Sequence, residues 1–152
     1  MNDISVRLKK AITEALEGLG ATKNGTEIQA IVGSGADSYD EYPVIRVIPS
    51  GVMREVNAEE RSYTYTVNFM ISLYLNLNDA DYPDEGVIET MAEFIDKIFD
   101  RLDGYDYNVV LPENSKMRQE SSIISNIDTV ATKNGSALYC DIEYPLSITI
   151  AF

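Results

Sequence analysis

From Arg61 to Leu77 apolar and polar residues alternate almost without fault, placing Tyr63, Tyr65, Val67, Phe69, Ile71, Leu73, Leu75 and Leu77 on one side. A period of two marks a β-strand. At ~3.3 Å per residue the run extends about 55 Å, whereas a domain of this length has a radius of gyration of roughly 15 Å. The far end of the strand is therefore expected to pair with something else or to stay exposed, so the chain reads first as an assembly component.

The preceding run is β-branched from Pro43 to Ile48, resumes after Pro49, Ser50 and Gly51 through Val52, Arg54 and Val56, and turns at Asn57 to Glu60. Together the two runs predict a long hairpin. Its distal end, Met53 to Tyr65, carries mixed charge and tyrosine with little aliphatic bulk. Tyrosine packs and hydrogen-bonds at once, which makes Met53, Arg54, Arg61, Tyr63 and Tyr65 the candidate subunit-contact residues. The alternative is that tyrosine simply fills a pleated surface.

Two amphipathic helices flank this hairpin. The first starts at Asn2 or Asp3, carries Ile4, Leu8, Ala11, Ile12, Ala15, Leu16 and Leu19 on one stripe, and ends at Gly18 and Gly20. A turn at Thr22 to Gly25 and a short strand from Glu27 to Val32 follow. The second helix runs from Asp84 to Gly104 with Ile88, Met91, Ala92, Ile95, Ile98, Phe99 and Leu102 on one stripe. Val109 to Leu111 and Ser121 to Thr132 look extended, and Asn134-Gly135 turns the chain into a last strand that alternates from Leu138 to Phe152. Pro145 lacks an amide hydrogen, so that strand is expected at an edge near its middle, or with its ladder broken there. The pentapeptide Ala-Thr-Lys-Asn-Gly occurs at 21–25 and again at 131–135 without further similarity, as turn chemistry used twice. The expected fold is α+β: a mostly antiparallel, twisted sheet with long hairpins and two helices packed on one face, in one domain over residues 1–152.

With 45% hydrophobic residues in 152 positions, the chain is long and apolar enough to bury a single core. One cysteine, Cys140, excludes an internal disulfide framework, and the lack of histidine excludes a Cys/His metal site. Short, interrupted apolar runs and an N-terminus opening on Asn2 and Asp3 point to cytoplasmic synthesis with neither signal peptide nor membrane span. Twenty-five acidic against twelve basic residues give a net charge of −13, which disfavours phosphate backbones and anionic lipid as partners.

Candidate chemistry is sparse. Without histidine neither a Ser-His-Asp nor a Cys-His arrangement exists. Gly33, Ser34 and Gly35 are not followed by a helix, and Asp37, Asp40 and Glu41 repel an anion, so they are not a phosphate cradle. Asp79, Asp81, Asp84 and Glu85 fail the calcium-loop pattern, because Pro83 stands at the fifth position and the glycine at six and glutamate at twelve are missing. Cys140 falls on the apolar face of its strand, as a small buried hydrophobe. No enzyme activity, cofactor or metal is expected.

The order helix, strand, long hairpin, helix, terminal hairpin resembles the tail terminator and tail completion proteins at the neck of long-tailed bacteriophages. The resemblance rests on Tyr42 to Glu55, Arg61 to Val67, Met91 to Leu102, and Tyr139 to Phe152, each a pattern of residue classes. It implies a structural virion protein that forms a ring, usually of six copies, at the head-proximal end of the tail. Its partners would be the tail tube protein and the head connector or stopper protein. The genome would pass through the ring without specific binding, and the acidic balance suits such a conduit. A head-side stopper or minor tail subunit fits the same size and charge. From a different class, a small soluble domain holding a ligand or peptide on its sheet is the alternative.

Overall fold

In a computed structural model, residues 2–23, 26–32, 43–77, 85–132 and 135–152 are described. Helix α1 (Asn2–Leu16) buries Leu8, Ala11, Ile12 and Leu16 completely, at the three- and four-residue spacing that keeps one face inward. Gly18 stops it: its φ of +74° lies in the left-handed region that closes helix ends and strains any residue with a Cβ, and the Leu19 amide donates to the Leu16 carbonyl. Helix α2 (Glu85–Asp103) likewise buries Met91, Phe94, Ile98 and Leu102.

Gly20 does not end the first helix, as expected, but begins strand β1 (Gly20–Lys23), which pairs with β2 (Thr26–Gln29) in a small separate sheet. The physical reason lies on α2. Thr90 Oγ1 donates to the Thr22 carbonyl (2.9 Å), the Thr22 amide donates to Glu93 Oε2 (2.9 Å), and Lys97 Nζ donates to the Gly20 carbonyl (2.8 Å). One turn further on, Arg101 donates to the carbonyls of Ala15 and Glu17, satisfying the otherwise open end of α1. A row of side chains at helical spacing thus supplies the hydrogen-bond partners that a neighbouring strand would otherwise give. The expected strand from Glu27 to Val32 is correspondingly divided between β2 and β3 (Ile31–Val32), which belong to different sheets.

The main sheet contains β3, β4 (Val44–Asn57), β5 (Ser62–Leu77), β9 (Gly135–Ala151) and β6 (Ser115–Gln119) in that order, with β7 (Ile123–Ile124) and β8 (Asp128–Thr132) also paired to β9. Every pairing is antiparallel except β3 with β4, which gives the expected α+β class. Both helices lie on one face: the core joins their apolar stripes to Val67, Phe69, Ile71, Leu73 and Leu75 of β5 and to Cys140, Ile142, Tyr144, Leu146 and Ile148 of β9.

Pro145 sits inside the sheet and not at its edge, and the second half of the expectation explains how. On one side it pairs with Asn68. On the other its carbonyl accepts from the Glu120 amide, so its missing N–H faces the gap between β6 and β7. From Gln119 to Ile123 the outer strand uses four steps where β9 uses three, Leu146 to Glu143, and the same one-residue excess recurs between Ile124 and Asp128. These are bulges, and a bulged, broken edge resists pairing with another chain. Strand β6 was not foreseen. Val109 to Leu111, expected extended, instead lies at the end of a 3-10 helix (Tyr107–Val110), because Asp106 accepts from the Asn108 amide (3.1 Å) and buried Tyr107 anchors the turn.

Candidate subunit interface on the distal sheet

Sixteen residues of β5 extend about 53 Å, while the nineteen of α2 reach only about 28 Å. Helical cover therefore stops partway along the sheet. β4 records the change: Val44, Ile45 and Val47 are buried, yet every residue from Ile48 to Val56 is exposed.

The distal end of β5 is not left unpaired, contrary to what its length suggested. It pairs with β9 as far as Ser62 opposite Ala151, and β6 pairs in turn with that end of β9. Among the described residues β4 is the strand left open. Only Val44 and Ile45 have an outer neighbour among the described residues, β3, and no described strand pairs with the outer edge from Arg46 to Asn57. Unlike the opposite edge it is regular beyond its single bulge, the feature that makes an edge a template for another strand.

That bulge decides which side chains the free strand presents. Pro49 lies opposite Phe69 and Gly51 opposite Asn68, so Ser50 is the extra residue, its hydroxyl donating to the Asn68 carbonyl (3.1 Å). The inserted residue moves Val52, Arg54 and Val56 onto the core face, opposite Val67, Tyr65 and Tyr63. Without it Gly51 and Met53 would stand there.

On this face the Arg54 guanidinium lies over the Tyr63 ring, 4.2 Å from its centre, and Nε donates to the Tyr65 hydroxyl (3.2 Å). Tyr63 also packs on Phe152 at 4.6 Å. Val52 and Val56 flank the cluster, 47% and 54% exposed. Among the described residues Arg54 has no carboxylate partner. The reverse face is a ladder of hydroxyls, with Thr64 against Thr149 (3.1 Å) and Thr66 against Ser147 (3.2 Å), and Ser147 donates to Glu120 (2.9 Å). Bonds from Arg118 and Ser147 hold the Glu120 carboxyl below the usual range.

Of the five residues singled out in the sequence, Arg54, Tyr63 and Tyr65 form one cluster. Met53 belongs to the reverse face, and Arg61 occupies the hairpin turn at φ +50°, its carbonyl accepting from the Phe152 amide (2.8 Å). Sequence reasoning missed Ile48, Val52 and Val56 as exposed apolar residues. The signal was Pro49-Ser50-Gly51, which marks the bulge.

The interior offers little reactivity. Burial pushes the Cys140 thiol up. Tyr107 and Tyr144 share a buried hydroxyl–hydroxyl bond of 3.3 Å, and desolvation raises both phenols. Among the described residues no three acidic or cysteine side chains converge as a metal site, and no helix is long and apolar enough to cross a membrane. Gly33 to Tyr42, Asp79, Asp81 and Asp84 lie outside the described residues. No protein-family model matches the chain, and no curated protein matches it in sequence.

Proposed function

We propose that the chain is a structural subunit that closes into a ring with copies of itself at the head-proximal end of a phage tail, as a tail terminator or completion protein. One observation carries this reading: the outer edge of β4 from Arg46 onward, with which no described strand pairs, flanked by apolar side chains that no part of the described chain covers. A ring needs a heterologous contact, one surface of each copy meeting a different surface of the next. The two edges of this sheet differ, one regular and unpaired among the described residues, the other broken by bulges that disfavour strand pairing, so β4 meets a different surface of the next copy from the one it presents. The element order that prompted the resemblance is kept through the long β4–β5 hairpin, α2 and the terminal β8–β9 hairpin, and the charge of −13 suits a passage for nucleic acid.

Sedimentation velocity from micromolar to millimolar, alone and with phage tail tubes, tests the proposal. Rings, free or on tube ends, are the expected result. A monomer under both conditions contradicts it. If that monomer instead captures an extended peptide on β4, the chain is a peptide-binding domain acting by strand addition. Particles made without the chain separate the neck roles: tails of irregular length or detached from heads fit a terminator, and intact infectious particles exclude it.

A further inference from the structure

Building on the proposed ring, we infer that Arg54 is the charged anchor of the subunit contact and that it takes a carboxylate from the outer row of helix α2 on the next copy. Arg54 is exposed and fixed by two tyrosines. A guanidinium stacked on an aromatic ring keeps its donor fork ready and loses little freedom on binding. Arginine beside tyrosine, rimmed by Val52 and Val56, is the composition in which contact energy concentrates. The cluster is a cation in a chain of charge −13, so a second copy is the partner its charge suits best.

Exposed carboxylates also stand at Glu55, Glu59, Glu60, Asp106, Glu113 and Asp128, but α2 carries the one helical row of them among the described residues. Glu89, Asp96, Asp100 and Asp103 are exposed along α2 at a spacing that puts them on one side, opposite the buried Met91, Phe94, Ile98 and Leu102. Asp96, Asp100 and Asp103 have no ion-pair partner among the described residues, whereas Glu93 is already committed to Lys97 (3.2 Å). α1 shows no comparable row, since Arg7, Lys9 and Lys10 interrupt its acids. Rotational symmetry supplies the geometry. When copies related by one rotation axis join edge to edge, equivalent faces stay on one side of the assembly. The next copy's helices therefore stand on the same side as Arg54.

Charge exchange tests this. R54E and D96R/D100R are both changes at exposed positions, and unchanged thermal midpoints of the monomers establish that each variant folds. Each alone is expected to raise the concentration needed for assembly about 30-fold or more, the size of effect seen when one member of a buried interfacial charge pair is lost. An equimolar mixture of the two, or the combined variant in one chain, is expected to recover to within about threefold of the wild type, because every contact then joins opposite charges. If the wild type forms rings and R54E forms them equally well, Arg54 is not the anchor. If R54E fails and neither mixture nor combined variant recovers, α2 is not the acceptor, while the ring itself stands. A wild type that never assembles overturns ring and anchor together.

Discussion

The same three strands, β4, β5 and β9, run through both halves of the sheet under opposite conditions. In the proximal half, Ile45, Phe69, Ile71, Leu73 and Ile142 are fully buried beneath two helices. In the distal half, the same face of the same ladder presents Val52, Arg54, Val56, Tyr63 and Tyr65 with partial or full exposure. Alternation persists across the boundary, and what changes is that arginine and tyrosine join the aliphatic residues on the inward side of β4 and β5, while Ile148 of β9, opposite Tyr65, stays buried. Aliphatic side chains and phenylalanine gain only from leaving water, whereas tyrosine and arginine tolerate water and still bind well when covered. The proximal half is closed by its own helices, whereas β4 in the distal half is open to water, which is what the proposed ring contact would use.

Mutation can break this contrast. Ile71→Ala leaves a cavity under the helices and is expected to lower monomer stability by about 2–5 kcal/mol, read from denaturant midpoints. Val56→Ala, a similar truncation on the same face of the sheet, is expected to change monomer stability by less than about 0.5 kcal/mol while weakening ring formation. Equal losses at the two sites would mean that the distal half is as closed as the proximal one. Within the core, Tyr144→Phe leaves the Tyr107 hydroxyl buried without its partner and is expected to cost about 1–2 kcal/mol, whereas replacing both tyrosines by phenylalanine costs less than the sum of the single changes.

At the tip of the distal hairpin, Arg61→Gly relieves a left-handed conformation and is expected to stabilise by about 0.5–1 kcal/mol in chemical denaturation. The smallest effect lies with Glu93 on the proximal side. The hydrogen bond from the Thr22 amide, then that from Lys97, hold its carboxyl below the ordinary glutamate range. Its contribution is thus present above that range and is lost as pH falls through the lower folded value. Glu93→Gln should flatten this part of the acid-unfolding curve, read from denaturation midpoints followed down the acidic range.

Much of the covered half was legible in the sequence. Both helices followed from three- and four-residue spacing, and the two long hairpins from unbroken alternation and from Asn134-Gly135. The unforeseen pieces lack a pattern of their own. β1 is four residues long and is held by Thr90, Glu93 and Lys97, which are distant in sequence. β6, Ser-Lys-Met-Arg-Gln, shows mainly polar side chains and is positioned by its register with β9. Of the candidate interface, Arg54, Tyr63 and Tyr65 were identified by type and position. That Tyr63 and Tyr65 share a face with Val52, Arg54 and Val56 depends on Ser50, a one-residue insertion that reverses inside and outside and that alternation alone does not locate.

Amide hydrogen exchange of β4, followed before and after assembly, bears most directly on whether this sheet is completed by another copy. The outward-facing amides between Val52 and Asn57 should exchange rapidly in dilute monomer, remain unlike the protected amides of β5 beside them, and become protected when rings form. Rings in which these amides still exchange rapidly, or a dilute monomer in which they are already protected, would contradict the account.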